Sequence, residues 1–191
     1  MKRTHIYSFF LLTSLFGLRC FVYSQISKPS TPQVLDYIQQ YRSLAMEEMR
    51  LYGIPASIKL AQGIYESGAG TSRLAREANN HFGIKCKTEW KGSTILHTDD
   101  LRNECFRRYE TAEESYRDHS VFLRTRNHYA FLFQLDPTDY KGWAFGLKRA
   151  GYATSSSYPQ AILRIIETYR LFEYDRVTAE TIETHSSNKP L

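Results

Sequence analysis

Beyond residue 30 the apolar positions recur at helical spacing. Val34, Ile38, Tyr41, Ala45, Met49 and Tyr52 lie three or four apart, which predicts an amphipathic helix that Ser30-Thr31-Pro32 starts and Gly53 ends. Pro55-Ala56-Ser57 opens a second helix running to Ser67, where Gly68 and Gly70 supply the left-handed turn that stops it. At about 100° per residue, Ile58, Leu60, Ala61, Ile64 and Tyr65 share one arc, and Lys59, Gln62 and Glu66 fall opposite. A short third helix follows Thr71-Ser72.

From Phe82 to Tyr109 the helical period is lost. β-favouring stretches stand at Phe82–Cys86, Ser93–His97 and Cys105–Tyr109, punctuated by Gly83 and Gly92, and predict a small antiparallel hairpin or three-stranded lobe. Helices then resume. Thr111-Ala112-Glu113-Glu114 has capping-box spacing, Asp136-Pro137-Thr138-Asp139 opens a helix that Gly151 closes, and Ser157 to Glu173 forms the last. The polar residues 175–191 read as a mobile tail.

Met1 to His5 carry Lys2 and Arg3 ahead of the uncharged run Ile6 to Leu18, shorter than a membrane span, which reads as a secretory signal expected to be cleaved after Ser24. Arg19 and the second apolar stretch Cys20 to Tyr23 leave an uncleaved N-terminal anchor as the alternative. Removing the signal changes the charge picture. Lys2, Arg3 and Arg19 supply three of the +5 formal charges, so the remainder carries +2, with no basic stripe for nucleic acid and no membrane segment. Export also leaves two cysteines, Cys86 and Cys105, expected to be joined in an oxidising compartment. The competing reading, a Cys86 nucleophile with His81 or His97, requires a thiol that escapes Cys105. The six histidines show no paired metal-ligand spacing and no glycine-rich loop follows a strand, so neither metal nor cofactor is expected.

By pattern alone Glu66 is a solvated carboxylate. Gly63, costly inside a helix, suggests room for a ligand beside it. The run Ala61-Gln62-Gly63-Ile64-Tyr65-Glu66-Ser67-Gly68-Ala69-Gly70-Thr71-Ser72, followed by Asn79-Asn80-His81-Phe82-Gly83-Ile84-Lys85, Trp90-Lys91-Gly92, Phe106-Arg107-Arg108-Tyr109, Glu114-Ser115-Tyr116-Arg117-Asp118-His119 and Ala150-Gly151-Tyr152-Ala153-Thr154, closely resembles glycoside hydrolase family 73. The resemblance spans residues 33–173. It implies an α+β, mainly α, lysozyme-like domain over residues 33–174 with a small antiparallel hairpin lobe, preceded by a signal (1–24) and linker (25–32).

The resemblance further implies an exported, periplasmic or envelope-associated endo-β-N-acetylglucosaminidase that cuts the β-1,4 bond of a peptidoglycan strand, without cofactor and as a monomer. Glu66 matches the catalytic acid. Asp99 or Asp100 matches an assisting carboxylate where the family usually has Glu, and the substrate's own acetamido group is the alternative. Tyr152 matches a tyrosine near the cleaved bond, and Ser155 replaces the Asp that usually follows Thr154. Gln62, Asn80, Phe82 and Trp90 are candidate sugar-binding residues, with Tyr65 and Phe82 as apolar walls for Glu66. A lytic transglycosylase and a silent glycan-binding scaffold are the competing functions.

Overall fold

The computed structural model describes residues 31–99 and 101–187, with side chains through residue 182. The expected signal peptide, residues 25–30 of the expected linker, Asp100 and residues 188–191 lie outside the described residues. The elements are α1 (Thr31–Tyr52), α2 (Ala56–Ser67), α3 (Arg73–Ala78), β1 (Thr94–His97), β2 (Glu104–Arg107), α4 (Ala112–Thr125), a 3-10 segment (Asn127–Gln134), α5 (Tyr140–Arg149), α6 (Tyr158–Thr168) and α7 (Phe172–Ser187). The fold is α+β and mainly helical, with one two-stranded antiparallel sheet.

Helix α2 is the axis of the domain, packed by α1, α5, α6 and α7. Ten of its twelve residues are buried, all but Tyr65 and Glu66. The two-faced reading of this helix is therefore corrected. Lys59 and Gln62 are fully buried, whereas Tyr65, from the apolar arc, is 43% exposed. A helix covered on every side keeps its sequence period but loses the link between polarity and solvent. Gly68 ends it in the left-handed conformation and donates its N–H to the Ile64 carbonyl, as helix C-caps require.

The side chains of Ser72 and Thr111 accept the N–H groups of Ala75 and Glu114, capping α3 and α4. Glu114 reaches back to the Glu110 N–H, one residue before the position of a standard capping box. In the hairpin, Ile95 pairs with Phe106 and Leu96 with Cys105. Ile95 and Phe106 close a small core with Leu74 and Ala78 of α3. Cys86 and Cys105 form a disulfide with Cα atoms 5.3 Å apart. The expected third strand is a single bridge from Lys85 to Phe106, because Phe82 turns away into the helical core and the Asn80 side chain engages the Ile84 N–H and C=O.

The chain's end departs most from expectation. The single helix expected over Ser157–Glu173 is broken at Arg170, which takes φ +52°, and α7 continues through residues read as tail. The cause is long-range. Helix α2 begins at Pro55 with no side-chain cap of its own; instead Ser57 donates its N–H to Asp175 Oδ1 (2.7 Å) and its hydroxyl to Oδ2 (2.6 Å). A carboxyl group from α7 thus accepts from one orphan backbone donor of the central helix and from the hydroxyl beside it. Asp175→Ala leaves both Ser57 donors buried without acceptors and is expected to lower unfolding stability by roughly 1–3 kcal/mol, read by chemical denaturation. Asp175→Asn, which keeps an acceptor for the N–H, should lose less.

Candidate active site

The last turn of α2 is the place where this buried helix meets the surface, and it presents Tyr65 and Glu66. The Tyr65 ring packs edge-on against Tyr158 at 5.5 Å, Tyr158 lies 5.7 Å from Tyr152, and Tyr152 lies 6.4 Å from Tyr129. This tyrosine wall and the end of the helix strip water from the Glu66 carboxyl. Burial first, and the negative charge of Asp99 second, push its pKa up to about 7, the direction a general acid needs at neutral pH. The charge of Glu66 acts in return on Tyr152 and Tyr158: burial is the main cause of the strong upward shift of both hydroxyls, and Glu66 adds to it.

Tyr158 has no place in the sequence reading of the site. Its hydroxyl accepts a 2.9 Å bond from Gln62 Nε2, so Gln62, fully buried, holds a wall residue in place. Two further candidates, Asn80 and Phe82, are also buried. Asn80 is 1% exposed and spends its amide on Ile84 and on the Arg107 carbonyl. Phe82 is 4% exposed and lies flat on the His119 imidazole at 4.0 Å, behind the tyrosine wall.

Trp90 stands elsewhere. Arg107 stacks on its ring at 4.7 Å, its indole N–H donates to the Ser93 carbonyl, and it lines a cavity of about 550 Å³ with Leu44, Tyr109 and Asp118 that includes neither Glu66 nor Tyr152. Asp99 is exposed, with Oδ2 3.3 Å from Lys85 Nζ. Lys85 also meets Glu104 at 2.8 Å. Asp99 thus sits in a small charged cluster at the hairpin, and its field reaches Glu66. Tyr152 is the expected tyrosine found at the wall, with its hydroxyl 3.1 Å from His119 Nε2.

Behind His119 lies a second feature absent from the sequence reading. Lys59, in the middle of α2, has its ammonium among the Tyr116 carbonyl, Ser120 and His119. Burial lowers its pKa to about 7, against the opposing charge of Glu48. Its signal in the sequence is weak, since a lysine in a helical pattern reads as solvated. Among the described residues no group of three or more His, Cys, Asp or Glu side chains is placed to hold a metal ion, and no helix there is long and apolar enough to cross a membrane.

Residues 42–171 match the glucosaminidase family described as mannosyl-glycoprotein endo-beta-N-acetylglucosaminidase. The chain belongs to this family. The glucosaminidase match takes in α2, the hairpin, Tyr152 and Tyr158, so every residue of the wall around Glu66 falls inside it. The exo-glucosaminidase LytG of Bacillus subtilis is 32% identical over 213 residues, covering 98% of this chain and 73% of that protein. The peptidoglycan hydrolase FlgJ of Vibrio cholerae is 27% identical, with 68% of this chain matching 42% of it. Among solved structures, a peptidoglycan hydrolase from Sphingomonas sp. A1 superposes with a TM-score of 0.64 at 26% identity, over 75% of this chain and 94% of that one. The glycoside hydrolase domain of Salmonella typhimurium FlgJ does so with a TM-score of 0.62 at 25% identity, over 81% and 96%. The protein is a glycoside hydrolase with a lysozyme-like fold.

Proposed function

We propose that this glucosaminidase is exported and hydrolyses the β-1,4 bond after N-acetylglucosamine within peptidoglycan strands, with Glu66 as the general acid. One observation carries the reading. On a central helix otherwise buried, Glu66 is the one titratable carboxyl brought to the surface, and its surroundings keep it protonated near pH 7. A carboxyl in that state donates its proton to the leaving glycosidic oxygen as the bond breaks. The names of the relatives, peptidoglycan hydrolase and glucosaminidase, support the substrate and the bond.

Asp99 assists, either as the base that activates water or by stabilising positive charge on the sugar. Two carboxyls about 5–5.5 Å apart suit retention, and about 6.5–9.5 Å apart suit inversion through a water. Asp100 is the adjacent alternative, and the substrate's acetamido oxygen is a third. Tyr152, half-buried in the wall, offers its hydroxyl to the sugar beside the cleaved bond, and the buried Tyr158 backs it.

Digestion of purified peptidoglycan followed by reduction and mass spectrometry tests the reading. Fragments with new reducing N-acetylglucosamine ends are expected. Reducing muramic acid ends would overturn the bond assignment, anhydro ends would replace hydrolysis by a transglycosylase reaction, and release of single sugars alone would overturn internal cleavage.

A further inference from the structure

We infer that Lys59 and His119 form a buried hydrogen-bond chain that fixes the Tyr152 hydroxyl as a donor on the Glu66 side of the wall, which makes both of them positioning residues for the reaction. The inference rests on the reading of Glu66 as the acid.

The chain follows from counting donors and acceptors. A charged lysine has three N–H groups and no lone pair. Lys59 Nζ lies 2.7 Å from the Tyr116 carbonyl, 2.9 Å from Ser120 Oγ and 3.0 Å from His119 Nδ1. The carbonyl only accepts. Ser120 spends its own proton on the same carbonyl, at 3.2 Å, so its oxygen accepts from Lys59. The third N–H then requires a lone pair on His119 Nδ1. Burial, and then the Lys59 charge, hold the His119 imidazole far below its usual range, so the ring is neutral and its single proton sits on Nε2.

Nε2 is 3.1 Å from Tyr152 Oη. With the imidazole donating there, the tyrosine oxygen accepts and its own O–H is released for another partner. Among the described residues no other hydrogen bond engages that hydroxyl. The opposite tautomer would turn the O–H inward onto the imidazole and leave only a lone pair for the sugar. Phe82, flat against His119 at 4.0 Å, holds the ring plane, and Lys59 Nζ sits 4.8 Å over the Phe82 ring centre. This gives a role to a full charge buried in the central helix, where an apolar side chain of similar length would be less costly.

Nitrogen NMR of the imidazoles in the whole protein at pH 6, where Lys59 is charged, should find His119 neutral with its proton on Nε2. A proton on Nδ1, or an imidazolium, overturns the inference. Lys59→Met should lower kcat on soluble peptidoglycan fragments roughly tenfold, as loss of one charge-assisted contact would, while KM changes less than about twofold and the melting temperature holds or rises. Full kcat in that variant overturns the inference.

A double-mutant cycle tests it independently of how Lys59→Met folds. His119→Leu should reduce kcat when Tyr152 is present and add nothing in a Tyr152→Phe background, and His119→Gln, which retains one acceptor and one donor, should recover part of the loss. Additive losses indicate structural damage and overturn it. Failure of the underlying reading looks different: an active Glu66→Gln removes the acid assignment, whereas an inactive Glu66→Gln beside an additive cycle removes only the chain.

Discussion

Glu66→Gln is expected to slow peptidoglycan cleavage by roughly 10²- to 10⁴-fold, the usual contribution of a positioned general acid, while leaving the fold intact. The amide keeps the size of the side chain at the mouth of the tyrosine wall but carries no transferable proton. The pH behaviour follows from the same surroundings. With the Glu66 pKa pushed up to about 7, the protonated form predominates below that pH, so kcat/KM of the wild type should fall above pH 7 with a slope approaching tenfold per pH unit. Asp99 contributes to the upward shift, so Asp99→Asn should move this limb to lower pH. If Asp99 is also the base, the rate should drop at every pH.

Linkage provides an internal check that the variant is folded. The carboxyl pKa is raised from 4.5 to about 7 on folding, so the native state binds the extra proton. The Glu66 contribution to wild-type stability is therefore fully present below about pH 4.5 and is lost as pH rises from there to about 7. The substituted amide does not ionise. Glu66→Gln should match the wild type in thermal stability at pH 4 and exceed it at pH 8. A variant that is inactive and also less stable at pH 8 would point to structural damage in place of a lost proton donor.

Gly63→Ala should destabilise the protein by a net 2–4 kcal/mol, on the order expected when overpacking and broken buried hydrogen bonds outweigh propensity. Gly63 looks like an opening for a ligand, but its space is occupied. An added Cβ would collide with the Tyr37 hydroxyl and come within 3.0 Å of the Tyr116 hydroxyl. Those two oxygens are bonded to each other at 2.9 Å, and Tyr37 also bonds His81 Nδ1 at 3.0 Å. Both rings are buried, at 3% and 0% exposure, so neither has an easy way to yield. Ala gains about 1 kcal/mol over Gly in a helix interior, overpacking costs about 1–3, and the one hydroxyl in outright collision, that of Tyr37, costs about 1–3 when displaced, so the losses win and the middle of the resulting range is about 2–4.

Denaturant unfolding measures this cost, and Tyr37→Phe decides its origin. Removing that oxygen clears the place of the new methyl, so Gly63→Ala with Tyr37→Phe should be more stable than the sum of the single effects. Strict additivity would contradict the collision as the cause. Because Glu66 lies less than one turn beyond Gly63, the single variant should also lose activity.

Local signals placed the elements that carry the site. Ser72, Thr111 and Gly68 mark helix ends because a cap is a contact between residues a few positions apart, and Glu66 is identifiable from the motif around it. What surrounds each side chain was decided only in the tertiary structure. Lys59, Gln62, Asn80 and Phe82 carry the residue types of surface or ligand contacts but are buried, because periodicity says which residues share a face and not what covers that face. Tyr158 joins Glu66 from another helix, and Asp175, in a stretch that reads as tail, caps the helix that carries Glu66. Glu66 was legible in the sequence as the proposed proton donor because it belongs to one short run of chain, whereas the surroundings that raise its pKa come from α6, the hairpin and the loop after α5, which only folding brings together.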